Sequence, residues 1–162
     1  MIQFEATYES GNIVTMQLPQ SWSEVTWDQY IDLINYDTGS LEKRIAILLG
    51  IEESDVMLFS TENIFYLIQA VSFTFDLEEL VKHNKTPEQY KDWYIGHQAW
   101  FKLEQCKQEL SKLDGKDVMN AGKEIVKIYT SEDIGNKPVT EVLGLVSFFL
   151  SRYITFINVL LN

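Results

Sequence analysis

Ile2-Gln3-Phe4-Glu5-Ala6-Thr7-Tyr8-Glu9-Ser10-Gly11-Asn12-Ile13-Val14-Thr15-Met16-Gln17-Leu18-Pro19 is the stretch on which the architecture turns. Ile2, Phe4, Ala6 and Tyr8 alternate with polar residues, the period of a strand with one buried face. Ile13 to Leu18 is rich in β-branched and apolar residues. Gly11-Asn12 between the two runs supplies the positive φ of a tight turn, so the spacing predicts a β-hairpin. A lone hairpin is marginal in water and must lie on something else. Pro19 ends it.

Most of the chain beyond Pro19 reads as helix. Two overlapping capping boxes follow, Ser21 with Glu24 and Thr26 with Gln29, and Trp27, Tyr30, Ile31 and Ile34 then recur at helical spacing. Asp37-Thr38-Gly39 breaks that helix. Ser40 caps the next, with Leu41, Ile45, Leu48 and Leu49 inward and Gly50 at its stop. Ser54 is placed as the cap of a short turn holding Met57 and Leu58. A third long helix starts near Thr61, with Ile64, Leu67, Ile68, Val71 and Phe75 on one face. Lys82 to Gln98 stays open: Thr86-Pro87 with Gln89 resembles a helix start, whereas Tyr90 to Gly96 suits extended chain. Ala99 to Leu113 reads as helix closed by Asp114-Gly115. Asp117 caps another, with Val118, Ile125, Val126 and Tyr129 apolar. Ser131 to Lys137 is a polar loop, and a last helix runs from Pro138 to the end. The expected fold is α+β and mainly α, one domain over 1–162, with a hairpin (1–19) packed on five or six helices (20–162).

The last helix has the length of a membrane span, 21 residues from Val142 with Arg152 as the one charge. Its periodicity argues for a core helix. Gly144, Ser147, Ser151, Thr155, Asn158 and Asn162 form a small and polar stripe, flanked by Glu141 and Arg152. Val142, Leu145, Phe149, Tyr153, Phe156, Ile157 and Leu160 form the opposite, apolar face. Arg152 is expected at the helix edge, reaching solvent or a carboxylate.

The net charge is −11, and the N-terminal third holds most of it. Residues 1–60 carry ten Asp/Glu against two Lys/Arg; 61–115 carry nine against six; 116–162 carry five against five. Such a field repels phosphate backbones and argues against nucleic acid as a partner. Cys106 is the only cysteine, which points to a reducing compartment, and the N-terminus lacks the pattern of a signal peptide.

No pattern of catalysis or ligand binding emerges. His83, His97 and Cys106 lie too far apart for a local metal motif. Cys106 falls mid-helix, a poor place to lower a thiol pKa. There is no nucleophile elbow, phosphate loop or calcium loop. The acidic groups Asp28/Asp32, Glu52/Glu53/Asp55, Glu78/Glu79 and Glu132/Asp133 read as solvated faces, although one sequence leaves a distant carboxylate pair open. No catalytic, metal or cofactor-binding residue is assigned, and no cofactor. The candidate partner contact is Trp22 with Glu24 and Asp28: an aromatic before the first helical stripe, beside acids. The competing role for Trp22 is a staple folded onto the first helix.

Three segments resemble small proteins of tailed bacteriophages, of the crAss-like and related kinds. The first is Leu18-Pro19-Gln20-Ser21-Trp22-Ser23-Glu24-Val25-Thr26-Trp27-Asp28-Gln29-Tyr30; it departs from the phage pattern at Gln20, Ser23 and Trp27. The others are Glu42 to Ile51, and Pro138 to Leu143 leading into Ser147-Phe148-Phe149-Leu150. The resemblance implies a non-enzymatic virion or virion-assembly protein, either a tail or neck component or a tail-assembly chaperone. It would act through contacts with tail, neck or portal-proximal proteins in the host cytoplasm or the virion, and it is compatible with a homo-oligomer. No membrane partner is expected. An acidic module that binds or inhibits a basic partner, and a small hydrolase with a carboxylate pair, are the alternatives.

Overall fold

The computed structural model describes residues 1–8, 10–36, 40–95, 98, 100–111 and 118–161, without the side chains at 110, 160 and 161. The fold is α+β and mainly helical, with 64% helix. Two strands, β1 (Ile2–Thr7) and β2 (Ile13–Leu18), form an antiparallel hairpin in which Ile2 faces Leu18 and Thr7 faces Ile13. Gly11 supplies the positive φ, +83°, and its N–H donates to the Tyr8 carbonyl at 2.8 Å. Phe4, Ala6 and Leu18 point into the core.

The helices are α1 (Trp27–Asn35), α2 (Leu41–Leu49), α3 (Glu53–Val56), α4 (Thr61–Ala70), α5 (Leu77–Val81), α6 (Trp100–Ser111), α7 (Val118–Thr130) and α8 (Val139–Leu161). Six of them span two turns or more, in keeping with the expected five or six. Local chemistry explains their starts. The Thr26 capping box forms at both ends: Gln29 N–H donates to Thr26 Oγ1 at 3.2 Å, and Thr26 N–H to Gln29 Oε1 at 3.0 Å. Ser40 and Ser60 cap α2 and α4 through their hydroxyls, and Gly50 closes α2 in the left-handed region. The breaks or caps expected at Asp37-Thr38-Gly39, Asp114-Gly115 and Asp117 lie outside the described residues.

Several local expectations are corrected. Ser21 makes no capping bond. Trp22–Glu24 is a single 3-10 turn, too short for a box. Glu24 instead accepts from Gln20 N–H at 2.8 Å and pairs with the Met1 amine. Ser54 lies inside α3, and Met57 and Leu58 are exposed, because Val56 and Phe59 take the inward positions. Phe75 leaves the α4 face, since α4 stops at Ala70 and a 3-10 turn (Ser72–Phe75) redirects the chain. Between residues 82 and 98, Thr86-Pro87 starts only the 3-10 turn Glu88–Tyr90.

Ser131 to Lys137 is more than a polar loop. Ile134 is fully buried. Trp27 N–H donates to the Lys137 carbonyl at 2.9 Å and Asp28 N–H to the Gly135 carbonyl at 3.0 Å. The loop thereby satisfies amides that the start of α1 leaves free. A Cβ at Gly135 would sit 2.4 Å from Asp28 Oδ2 and 2.7 Å from Lys123 Nζ, so it would displace that ion pair.

α8 is the central element. From Val142 to Val146, and from Phe148 to Leu150, it is buried on every side. α7 crosses it closely at Gly122, where a Cβ would meet Val146 Cγ1 at 2.5 Å. Tyr90 and Trp93, from the segment left open between helix and extended chain, pack edge-on over Phe149 and cover α8 with aromatic rings.

Candidate interaction surface between α6 and α8

The small and polar stripe of α8 does not simply face water. Gly144 is buried beneath the backbone of Lys85, whose carbonyl would lie 2.0 Å from a Cβ at that position. Beyond this crossing a groove of about 390 Å³ is lined by Asn84, Ser147, Ser151, Arg152 and Thr155. Arg152 is exposed, with its guanidinium 5.5 Å from the centroid of the Phe148 ring. No carboxylate pairs with it among the described residues.

The apolar face also departs from its expected uniformity. Tyr153 is the last fully buried residue among the described side chains of α8, and its hydroxyl donates to the Leu103 carbonyl of α6 at 2.9 Å. Past it, Phe156 and Ile157 of that face are only half-buried, and off the face Ile154 is exposed and Val159 is 72% exposed. The helix outruns the body that covers it. α6, which packs mainly on α7, turns only Leu103 and Cys106 inward among its described side chains, leaving Trp100 63% and Phe101 61% exposed. Between the two helices lies an apolar groove of about 230 Å³, walled by Trp100, Leu103, Tyr153, Phe156 and Ile157. At its rim, Glu104 and Lys107 stand 3.9 Å apart and offset each other's charge. Large exposed apolar residues clustered around one groove mark a contact site more often than scattered ones do.

Of the contact proposed from sequence, Trp22 with Glu24 and Asp28, the tryptophan is corrected. Trp22 is 3% exposed. It is held edge-on between Tyr30 at 6.0 Å and Phe73 at 5.6 Å, and its Nε1–H donates to the Asp76 carbonyl at 2.9 Å. A ring of that size in the bend before α1 fills the gap between α1 and the 3-10 turn after α4, which stabilises it more than exposure would. Glu24 is committed to the N-terminus. Asp28 accepts from Lys123 Nζ at 2.7 and 3.0 Å. Trp22 is thus a packing residue, and the two carboxylates are paired within the chain.

Cys106 lies fully buried beside Tyr129, and burial pushes its thiol up to about 11. It is a packing residue in this environment. Among the described residues no group of three His, Cys, Asp or Glu could hold a metal ion. Val139–Val159 is long and apolar enough to cross a membrane, with half of its most apolar window buried in the body. Exposed Trp100 and Phe101, which sequence reading passed over, had a signal: α6 places only a thin apolar stripe behind two adjacent aromatics. Compared with known protein families, curated proteins and solved structures, the chain matches none.

Proposed function

We propose that this chain is a non-enzymatic protein of bacteriophage virion assembly, and that it works by docking an apolar segment of another virion protein against the α6–α8 end. The observation that carries this reading is the groove walled by exposed Trp100 with Phe156 and Ile157, at an end of the molecule where Phe101 of α6 and Ile154 and Val159 of α8 are exposed as well. Its rim charges cancel, so an uncharged segment suits it better than a basic one. The three phage-like segments supply the biological setting. Exposed aromatic anchors beside a pocket are the residues that dominate binding energy at protein interfaces. A carboxylate-pair hydrolase draws less support, since neither the α6–α8 groove nor the one at Arg152 is lined by two carboxylates.

The test is pairwise co-purification with the tail, neck and portal-proximal proteins of a crAss-like phage, together with mass spectrometry of purified virions. One of those proteins is expected to be retained, and the Trp100→Ser/Val159→Ser double variant to bind it at least about tenfold more weakly. Undiminished binding by a folded double variant overturns the site. Retention of none of the phage proteins overturns the function. Presence in virions as a symmetric oligomer identifies a ring component; absence from them identifies a chaperone.

A further inference from the structure

The hairpin carries a second surface, independent of the α6–α8 end. Tyr8 N–H donates to the Asn12 carbonyl at 2.9 Å, which sets the phase of the ladder. Given the register, Ala6 with Val14, Phe4 with Met16 and Ile2 with Leu18 exchange the hydrogen bonds inside the hairpin. The backbone groups of the alternate residues point outward: Gln3, Glu5 and Thr7 on β1, and Ile13, Thr15 and Gln17 on β2. The two edges are treated differently. On β1, the Thr7 carbonyl accepts from Ser60 N–H at 2.9 Å, Tyr8 bridges to Phe59, and Glu5 places a charge on the strand. On β2, Ile13, Thr15 and Gln17 are exposed, and their outward N–H and C=O groups have no partner in the described residues.

β2 also lacks the devices that shield an edge. Ile13-Val14-Thr15-Met16-Gln17-Leu18 contains no charge and no proline, and its pairing runs without a bulge. Ile13, 64% exposed, adds an apolar contact on the outer face. An uncharged, β-branched, unshielded edge is a template for one more strand. Charge selects the occupant. Residues 1–60 hold −8 of the −11 net charge, so a second copy would bring two such fields together, whereas a basic segment is drawn in.

We propose that β2 accepts an extended, basic segment of a partner protein as a third antiparallel or parallel strand. The main chain supplies affinity through Ile13, Thr15 and Gln17, and the acidic N-terminal third supplies selection by charge. The experiment uses the full chain, labelled with nitrogen-15, and an eight-residue peptide of alternating lysine and valine as the probe. Amide exchange at Ile13, Thr15 and Gln17 is expected to slow about tenfold at saturating peptide, with no change at Gln3 and Glu5. A glutamate–valine peptide should leave all five unchanged. Thr15→Pro removes an outward donor that the hairpin does not use, and should abolish the slowing at Ile13 and Gln17 with the melting temperature preserved. Should that variant unfold, the two-peptide comparison on the unsubstituted chain decides. No slowing at millimolar lysine peptide, slowing confined to β1, or equal slowing by the glutamate peptide overturns the proposal. Slowing that grows with protein concentration in the absence of peptide also overturns it, by making a second copy the occupant. None of these outcomes bears on Trp100 or Val159, so this proposal and the α6–α8 reading fail separately.

Discussion

Gly144 of α8 and Gly122 of α7 both lie at close crossings, and the neighbours they meet differ in kind. At Gly144 an added methyl would land on the Lys85 backbone, its carbonyl oxygen 2.0 Å away. At Gly122 it would meet the ends of Val146 and Leu150, at 2.5 and 2.9 Å. Side-chain tips can turn aside more readily than a carbonyl held in a crossing segment. Gly144→Ala is therefore expected to destabilise by about 3 kcal/mol and Gly122→Ala by about 1–2 kcal/mol, within the usual range for overpacking. Chemical denaturation of both variants checks the order. Faster amide exchange at Lys85 in Gly144→Ala alone would locate the cause. Trp22 teaches a related lesson at this scale. A tryptophan beside acids has the composition of an interface anchor, but Tyr30, Phe73 and the Asp76 carbonyl complete its surroundings from within.

Elements here are joined by polar fasteners as well as by core. Gln29 caps α1 and also reaches the end of α2, its Nε2 donating to the Leu48 carbonyl at 3.2 Å. Lys123 of α7 reaches Asp28 of α1 at 2.7 Å and Asp133 of the following loop at 4.0 Å. Burial alone would lower the Lys123 pKa; the hydrogen bond and charge of Asp28, with the charges of Asp133 and Glu124, outweigh it and raise the pKa above 10.5. A lysine raised in the folded state stabilises fully below its unfolded pKa, and that stabilisation disappears as pH climbs through the folded one. Lys123→Met is thus expected to cost at most about 1 kcal/mol at neutral pH, because Asp28 is half exposed and solvent screens the pair. The gap between wild type and variant should close above pH 10.5, measured as the difference in melting temperature across a pH series. A gap that persists unchanged there would assign the loss to packing of the lysine stem.

Across the whole molecule, a net charge of −11 is set against exposed large apolar residues, among them Phe65, Phe75, Trp100, Phe101 and Val159. Like charge keeps such surfaces apart in solution. As pH falls toward the isoelectric point near 4.5 that repulsion vanishes, and self-association should rise steeply. Light scattering through a pH titration checks this, and the Trp100→Ser/Val159→Ser variant should scatter less at the same pH. Equal scattering by both proteins would place the adhesive surface elsewhere, with Phe75 and its neighbours Leu77 and Val81 next in line.

Where the determinants were local, the sequence by itself was sufficient. Alternation at Ile2, Phe4 and Ala6, the glycine after Ser10, the Thr26–Gln29 box, and the Ser40 and Gly50 boundaries of α2 each involve residues within a few positions of one another. Their geometry follows from backbone preference and short-range hydrogen bonding. The mainly helical α+β class was legible for that reason. The tertiary structure decided whatever depended on partners distant in the chain. Trp22 was settled by Phe73 and Asp76, and Asp28 by Lys123. Gly144 was settled by Lys85, and the role of Tyr90 and Trp93 by Phe149. The α6–α8 groove belongs to the same class. Helical periodicity assigns a face to Tyr153, Phe156 and Ile157, but whether that face meets a core or water depends on how far the neighbouring helices extend, and no local pattern encodes that length.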